Sequence, residues 1–250
     1  MFEFFRETYY VMWGDLRFMR HTALNILISS IMSPLLYLLA FGYGLGRGLE
    51  IDGMPYIAFI IPGIAALTSL SASFSSVSTR LNVQRLYYRS LDEMLMCPLN
   101  ISAVVLGKSM HGAIRGIISS SIIFAIGLVM VPEYLHLTPL YIICILLSCF
   151  TFSFLGVTAA LMANTHQAMA TFSNLVILPM TFLCGTFFSV DSLPQVFQGA
   201  LYALPLTHSS VTIRASSLEW DFPWISLFVL LCFCIAFFAV NVYLIKKKKI

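Results

Sequence analysis

Residues 223–249 read PWISLFVLLCFCIAFFAVNVYLIKKKK, and this stretch decides the class of fold. No Asp, Glu, Lys or Arg interrupts residues 223–245, and a helix needs about 20 apolar residues to cross about 30 Å of hydrocarbon. The four lysines that follow are typical of a stop-transfer signal that binds anionic lipid head groups. The stretch therefore predicts a helix that spans a membrane and ends on its cytoplasmic side.

The composition extends this interpretation to the whole chain. Of its 250 residues, 59% are hydrophobic and 10% are charged, and the mean hydropathy is +0.90. That is too much apolar surface for a soluble domain of this length. The predicted fold class is an all-α membrane protein with a single transmembrane domain over residues 1–250. Six spans are predicted, at residues 24–45, 56–77, 110–131, 140–162, 168–188 and 223–245.

The first 21 residues are predicted to form an amphipathic helix that lies in the membrane interface. Apolar side chains recur there at steps of three and four, which places them on one helical face, and Trp13 suits an anchor at the head groups. The alternative is a water-facing helix packed on a partner. The apolar stripe consists of Phe2, Phe5, Tyr9, Met12, Leu16 and Met19.

Basic residues indicate the orientation, because Lys and Arg concentrate in cytoplasmic loops. With both termini in the cytoplasm, 12 of the 14 basic residues lie inside and only Arg47 and Arg214 lie outside. We therefore expect a multi-pass protein of the cell (inner) membrane with both termini cytoplasmic. The inner set is Arg6, Arg17, Arg20, Arg80, Arg85, Arg89, Lys108, Arg115 and Lys246 to Lys249.

The acidic residues narrow the function. All 11 Asp and Glu fall in predicted loops, ends or interfaces. Ion-driven carriers usually keep ionisable groups at membrane depth, because those groups bind the coupling ion. If the chain moves a substrate, the energy is therefore expected to come from a partner outside the membrane. The acidic set is Glu3, Glu7, Asp15, Glu50, Asp52, Asp92, Glu93, Glu133, Asp191, Glu219 and Asp221.

Small hydroxyl residues are concentrated in the second half of span two. Such residues let helices approach closely in lipid, and packing is the favoured interpretation. The alternative is that they line a polar path across the membrane. The set is Thr68, Ser69, Ser71, Ser73, Ser75 and Ser76.

Span three is predicted to begin as a helix near Ile101 in the cytoplasm and to enter the bilayer near Arg115. Lys108, His111 and Arg115 lie at steps of three and four, so they form one basic face. This face suits contact with an anionic lipid or substrate. Snorkelling of the side chains to lipid phosphates explains it equally well.

Two segments outside the spans carry further structure. Residues 78–100 mix positive and negative charges, which suits docking of a protein on the cytoplasmic side. Residues 189–221 are semi-apolar but contain Pro194 and Pro205, so they are predicted to be a re-entrant helical segment on the outer side.

The sequence contains no complete catalytic motif. Residues 105–109, VLGKS, end like a P-loop, but the pattern needs a glycine five residues before Gly107, where Ser102 stands. No metal-ligand spacing, nucleophile elbow or cluster of ionisable residues indicates a catalytic or metal site. The chain is therefore not predicted to be an enzyme or to bind a cofactor, and nucleic acid is not an expected partner.

Four stretches resemble the permease subunit of ABC-2 type exporters, whose members move drugs, lipids or polysaccharides. The resemblance covers nearly the whole chain, and the last stretch is the most specific. The stretches are LLAFGYGLG at 38–46, YIAFIIPG at 56–63, LDEMLMCPLN at 91–100 followed by Gly107 and Lys108, and FLCGTFFSVDSLP at 182–194 with PLTH at 205–208 and Arg214.

The resemblance implies a transporter subunit that works with a separate ATPase, on which ATP and Mg are bound. Two permeases and two ATPases, with the permeases as a homodimer, would form the working unit. Nucleotide-driven closure of the ATPase would push on the coupling segment at 78–100, where the implied contacts are Arg85, Arg89, Asp92, Glu93 and Pro98. The re-entrant segment would form an outer gate that includes Pro194, Pro205, Leu206, Thr207 and Arg214.

Two departures from the family pattern affect the gate. Leu204 stands where an Asn commonly precedes the Pro-Leu-Thr motif, and Ser189 stands where a Pro commonly follows the Phe-Phe pair. The principal alternative is a secondary carrier or channel that acts alone. A membrane enzyme or assembly factor is a third class, disfavoured because no polar cluster is evident.

Overall fold

The computed structural model describes residues 2–46, 48–51, 53–188 and 194–249. Nearly all of them are helical, which confirms the all-α membrane class. The elements in chain order are α1 (Phe2–Tyr37), a π-helical segment (Leu38–Leu45), β1 (Glu50–Ile51), β2 (Met54–Pro55), α2 (Tyr56–Leu86), α3 (Ser90–Met96), α4 (Ile101–Met130), α5 (Pro139–Met162), α6 (His166–Phe172), a second π-helical segment (Ser173–Ile177), α7 (Leu178–Leu183), α8 (Gln195–Tyr202), α9 (Pro205–Ser217) and α10 (Trp224–Lys249).

Four helices of the described chain, α2, α4, α5 and α10, are long and apolar enough to cross a membrane. Part of the predicted first span forms a shorter apolar helical stretch, Ser30–Gly42. The predicted fifth span is divided between α6, the second π-helical segment and α7, which follow one another without a break. The count of six spans therefore stays a prediction.

The predicted interfacial part and the predicted first span lie on one continuous helix. No break separates an interfacial helix at 1–21 from a span at 24–45, because α1 runs continuously to Tyr37. Neither Gly nor Pro occurs between Asp15 and Ser33, so nothing in the sequence stops the helix there.

Two aromatic residues of the predicted apolar stripe of α1, Phe5 and Tyr9, face away from the bundle. Phe5 and Tyr9 are 65% and 49% exposed, whereas Thr8, Val11 and Asp15 are buried against the other helices. Exposed aromatic side chains on an outer face suit contact with lipid. A location in the membrane interface stays a prediction.

Helix α2 is the centre of the bundle, and glycines bring its neighbours close to it. A Cβ added at Gly112 or Gly116 of α4 would overlap Val77 or Ser73 of α2, and one at Gly156 of α5 would lie 2.9 Å from the Phe74 carbonyl oxygen. This is the small-residue packing typical of membrane helices. Helices α2, α4 and α5 therefore form one tightly packed unit.

Residues 194–249 form two short helices, α8 and α9, and one long helix, α10. Helix α9 has 13 residues, so it extends about 20 Å, too short to cross the hydrocarbon. It is buried along almost its whole length, and α8 precedes it. Helix α10 is largely exposed, which suits a lipid-facing position. It is tied to α5 by Asn241, whose amide nitrogen donates to the Phe154 carbonyl oxygen at 2.9 Å.

Candidate functional site

A buried charged cluster joins α1, α2 and α4. The Asp15 carboxylate accepts hydrogen bonds from Arg80 Nε at 2.7 Å and from Lys108 Nζ at 2.9 Å. The Gln84 amide nitrogen donates to Asp15 at 3.0 Å, and its carbonyl oxygen accepts from Lys108 at 2.8 Å. Asp15 and Lys108 are only 3% and 5% exposed. These four residues, the charged cluster, therefore join the three helices at one point.

The charges of the cluster stabilise one another. Burial by itself raises the pKa of the Asp15 carboxyl group, but the cations of Lys108 and Arg80 outweigh this effect and hold the pKa below its ordinary value. Asp15 lies before the segment predicted for span one. With two cations and one carboxylate, the charged cluster carries a net positive charge at neutral pH.

The three residues of the basic face predicted on α4 contact neighbouring helices, and their contact with an anionic lipid or substrate stays a prediction. Lys108 is directed into the charged cluster, so snorkelling does not describe it. His111 is buried, with both ring nitrogens 3.4 Å from the Ser76 hydroxyl. Arg115 is half-buried and its Nε donates to the Ser30 hydroxyl of α1 at 3.1 Å. The three residues therefore turn towards α1 and α2.

A cavity of about 920 Å³ lies between α2, α3 and α4, beside the charged cluster. A second cavity, of about 360 Å³, lies between α1, α2, the second π-helical segment and α7. The two share Ser75 and Arg115 in their walls, so they form one concave surface, here called the trough. Cavities of this size are large enough to hold a small organic molecule or part of a lipid.

One row of α2 forms the wall of the trough. Its members recur every four residues, which places them on a single stripe about 24 Å long. The span-two hydroxyls divide into two groups, and a polar path across the membrane stays a prediction. Ser69, Ser73 and Ser76 are buried inside the bundle, as packing predicts, although Ser76 also reaches the trough wall, whereas Ser71 and Ser75 lie on the open stripe. The full row is Leu67, Ser71, Ser75, Thr79 and Val83.

Helix α3 connects the trough to the protein surface. Leu91 of α3 is buried in a cluster of apolar side chains of the bundle. Asp92 and Glu93 are exposed in the first turn of α3. Acidic residues at this end of a helix are stabilised by the helix dipole. Glu93 also contributes to the wall of the larger cavity. A displacement of α3 therefore changes the wall of the trough directly.

The surface around α3 is exposed and mixes apolar with charged groups. Met96 is 86% exposed and Tyr88 is 73% exposed, and Arg89, Cys97 and Pro98 are exposed beside them. Arg89 adopts φ 52° in the left-handed region, which a residue with a side chain rarely adopts. This abrupt turn directs α3 away from the axis of α2.

Arg85 has a different position from the other residues of the predicted coupling set. Its Nη1 donates to the carbonyl oxygens of Ala160, Leu161 and Ala163 at 2.8, 2.7 and 3.0 Å, and Nη2 donates to the Asn164 side chain at 3.1 Å. The last carbonyls of a helix lack partners within it, so Arg85 caps α5. A contact between Arg85 and a partner stays a prediction.

At the opposite end of α2, Arg214 of α9 is enclosed by backbone carbonyl groups. It is 4% exposed, donates to the carbonyl oxygens of Phe59, Gly185 and Thr186 at 3.2, 2.8 and 3.3 Å, and stacks on the Phe59 ring at 3.9 Å. Among the described residues no carboxylate lies within ion-pair distance of it. Arg214 therefore fixes the bend after α7 through carbonyl oxygens.

The other residues predicted for the outer gate lie near this bend or at the start of α8 and α9. Pro205 is the first residue of α9, and Leu206 and Thr207 are fully buried. The Thr207 hydroxyl donates to the Leu201 carbonyl oxygen at 2.6 Å, which ties α9 to α8. Pro194 is exposed just before α8. Residues 189–193, the start of the predicted re-entrant segment, lie outside the described residues.

Sequence reasoning misses the residues whose role depends on a partner far along the chain. It places Asp15 in an interface and gives Gln84 no role, yet both belong to the charged cluster. It also misses the Tyr56 hydroxyl, which donates to the Phe187 carbonyl oxygen at 2.7 Å. Only for Asp15 does the sequence contain a signal of burial. Asp15 lies four residues after Val11 and seven after Thr8, which places the three side chains on one face of α1, away from the exposed aromatic residues.

Long apolar helices beside a polar trough are typical of membrane proteins that move a substrate. The chain matches the family described as ABC-2 type transporter over residues 6–218. It therefore belongs to the ABC-2 type transporter family, whose members are transporter membrane subunits rather than catalytic chains and associate with an ABC ATPase subunit.

Several relatives align with most of the chain. The inner membrane transport permease YadH of Escherichia coli K12 is 26% identical over 234 residues, which covers 92% of this chain and 91% of the relative. Nodulation protein J of Rhizobium leguminosarum bv. trifolii is 30% identical over 214 residues, covering 82% and 76%. Nodulation protein J of Bradyrhizobium diazoefficiens is 30% identical over 210 residues, covering 80% and 77%. This chain is accordingly a multi-pass inner membrane protein.

Proposed function

We propose that this chain is the permease subunit of an ATP-driven exporter. It moves a substrate out of the cytoplasm or the inner leaflet, and a separate ABC ATPase subunit binds ATP and Mg and hydrolyses the nucleotide. The family supports the ATPase partner. The name of the E. coli relative, an inner membrane transport permease, supports the class of function.

The observation that carries the proposal is the position of Glu93. This residue lies on α3, within the exposed surface that a cytoplasmic partner would contact, and it also contributes to the wall of the larger cavity. One short helix thus connects a docking surface to a substrate-sized space. A partner that changes shape on ATP hydrolysis would move α3 and with it the wall of the trough.

The arrangement in the membrane follows from the same proposal. Both termini and α3 lie in the cytoplasm, six segments cross the bilayer, and α8 with α9 form a re-entrant outer gate. The trough opens on one side of the chain, where a second permease would complete the wall, so the working unit contains two permeases and two ATPases. The outer contacts of Arg214 and Tyr56 hold the gate shut in this conformation.

The test starts from a tagged chain purified from membranes with the ATPase that co-purifies. Glu93→Gln is expected to lower permease-stimulated ATP turnover while the protein still inserts and folds. Glu133→Gln is the matched control, because Glu133 is an exposed acid in the loop that follows α4, at the other end of that helix from α3. Unchanged turnover and transport in Glu93→Gln would remove the coupling role. Solute movement in liposomes by the chain alone, without ATP, would instead establish a carrier or channel.

A further inference from the structure

The bend that follows α7, residues 184–187 and here called the strap, has carbonyl oxygens that accept hydrogen bonds from side chains of other elements. All four residues are buried, and none belongs to a helix or strand. Buried carbonyls outside regular structure need donors from elsewhere, above all in a membrane protein. The donors lie on α2 and α9: Ser210 donates to Cys184 at 2.9 Å, Arg214 to Gly185 at 2.8 Å and to Thr186 at 3.3 Å, and Tyr56 to Phe187 at 2.7 Å. Side chains therefore attach the strap to the bundle.

The strap lies directly on α2. A Cβ added at Gly63 of α2 would overlap the Thr186 carbonyl oxygen. The chain turns at Gly185, whose φ of 71° lies in the left-handed region that favours glycine. Because the strap and α2 approach so closely, water cannot replace the side-chain donors unless the strap moves away from the helix.

The guanidinium of Arg214 fills a cation site between α2, α9 and the strap. Its donors reach the carbonyl oxygens of Phe59, Gly185 and Thr186, and Cζ lies 3.9 Å from the centroid of the Phe59 ring. Carbonyl dipoles and the face of an aromatic ring both attract a cation. Among the described residues these neutral groups, and no carboxylate, offset the loss of hydration of the buried Arg214.

The strap also packs against α1 and the π-helical segment that follows it. The Phe187 ring centroid lies 4.5 Å from that of Phe41 and 5.7 Å from that of Tyr37. Tyr37 and Thr181 line the smaller cavity of the trough. The strap therefore lies at the end of the trough away from α3, and a displacement of the strap changes that end.

We propose that closing of the strap requires a cation in this site, and that Arg214 is the positioning residue that supplies it. The strap opens as a local unit when the guanidinium leaves the carbonyl oxygens and is hydrated, while α2, α4 and α5 stay packed. This deepens the proposed function, and rests on it, by naming the contact that regulates the outer gate. A cation held by neutral groups suits a reversible closure, because water replaces a carbonyl oxygen as an acceptor at a small net cost.

Two native cysteines report on the strap, and the test needs neither an ATPase nor a substrate. Cys184 lies in the strap, and Cys149 lies where α5 packs on α2 and α4; both residues are 0% exposed. The chain in detergent is treated with an anionic methanethiosulfonate reagent, and labelling of each cysteine is quantified by mass spectrometry. Arg214→Ala should raise the rate at Cys184 about 10- to 100-fold, the change that one hydrogen bond to a charged donor provides. Cys149 should stay protected.

Free guanidinium tests whether the cation itself closes the strap. Guanidinium at concentrations far below those that denature should restore the protection of Cys184 in Arg214→Ala, whereas urea, which is planar but uncharged, should not. Arg214→Lys should retain part of the protection, because the ammonium group keeps the charge. Gly63→Ala is the matched variant, since it displaces the strap from α2 and leaves Arg214 in place. It should expose Cys184 without responding to guanidinium.

Three results would overturn the proposal. Protection of Cys184 in Arg214→Ala equal to that in the wild type would show that Arg214 does not hold the strap. Equal increases at Cys184 and Cys149 would show that the strap has no opening of its own. Protection restored by urea as well as by guanidinium, or by neither, would show that closure does not depend on a cation. Solute movement without ATP would instead remove the proposed exporter and leave the closure of the strap unaffected.

Discussion

Replacing Asp15 with asparagine tests whether the charged cluster holds α1 to the rest of the bundle. The change keeps the shape of the side chain but removes the negative charge between Arg80 and Lys108. Lys108 is then left 5% exposed beside a second cation, with no carboxylate among the described residues within ion-pair distance. We expect Asp15→Asn to destabilise the protein.

The magnitude follows from the burial of the pair. Removing one partner of a buried ion pair costs about 3–5 kcal/mol, and the lower end applies here because the Arg80 side chain is 19% exposed and stays partly solvated. For a chain of this size, about 3 kcal/mol corresponds to a fall of about 6–12 °C in the melting temperature. The Gln84 amide can still donate to the side-chain oxygen of the introduced asparagine, which also favours the lower figure.

The assay is thermal unfolding in detergent followed by circular dichroism. Glu3→Gln, an exposed acid on the same helix, is the matched control and should shift the melting temperature by about 1–2 °C at most. The double variant Asp15→Leu with Lys108→Met should recover much of the loss, because replacing a buried pair by apolar residues is often close to neutral. A melting temperature for Asp15→Asn within the range of the control would refute the reasoning.

The pH dependence gives a second check on the same group. The pKa of Asp15 is lowered in the folded protein, so its stabilisation is fully present above the ordinary value of 3.8 and is lost as the pH falls through the lower folded-state value. Wild type should therefore lose stability in acid more steeply than Asp15→Asn. Parallel acid profiles for the two proteins would contradict the assignment.

Two further substitutions probe the local geometry. Arg89→Gly should raise the melting temperature by about 2–4 °C, because glycine adopts φ 52° without the cost of about 1 kcal/mol that a side chain incurs. Arg89→Ala, which keeps a Cβ, is the control. An equal rise in both variants would exclude backbone strain as the cause. Gly112→Ala should cost about 1–3 kcal/mol in thermal unfolding, because its Cβ would overlap Val77. Gly199→Ala, whose Cβ meets nothing within 4 Å, should be neutral or stabilise the protein by up to about 1 kcal/mol, because alanine is the better helix former. A loss of stability in Gly199→Ala similar to that in Gly112→Ala would refute the packing argument.

Local sequence signals predict the helices well where a helix starts or stops for a local reason. The predicted span at 140–162 corresponds to α5, Pro139–Met162, because Thr138 accepts from the Tyr141 N–H and Pro139 occupies the first turn. Helix α2 begins at Tyr56, as expected for the residue after Pro55. The division of α1 into an interfacial part and a span stays a prediction, because a change from polar to apolar composition alters the surroundings of a helix without ending it.

The site was predictable only in its residue types. Helical spacing correctly grouped Lys108, His111 and Arg115 on one face, but spacing cannot tell whether a face meets lipid or another helix. The partner of Lys108 lies 93 residues earlier, and no local pattern encodes such a pairing. The contact of Arg85 with the end of α5 could not be predicted for the same reason. The exposure of Asp92 and Glu93, in contrast, followed from their place in a short polar segment.

The hydrogen bonds from Arg85 to the end of α5 limit how α2 can move. Arg85 fastens the last turns of α2 and α5 together, and close contacts at glycines join α2 to α4 and α5. A force on α3 is therefore transmitted to all three helices and not to α2 alone. Helices α2, α4 and α5 must therefore move as one rigid unit. Flexibility is then confined to the edges of this unit, where α1, α6 and α7 meet it across the trough.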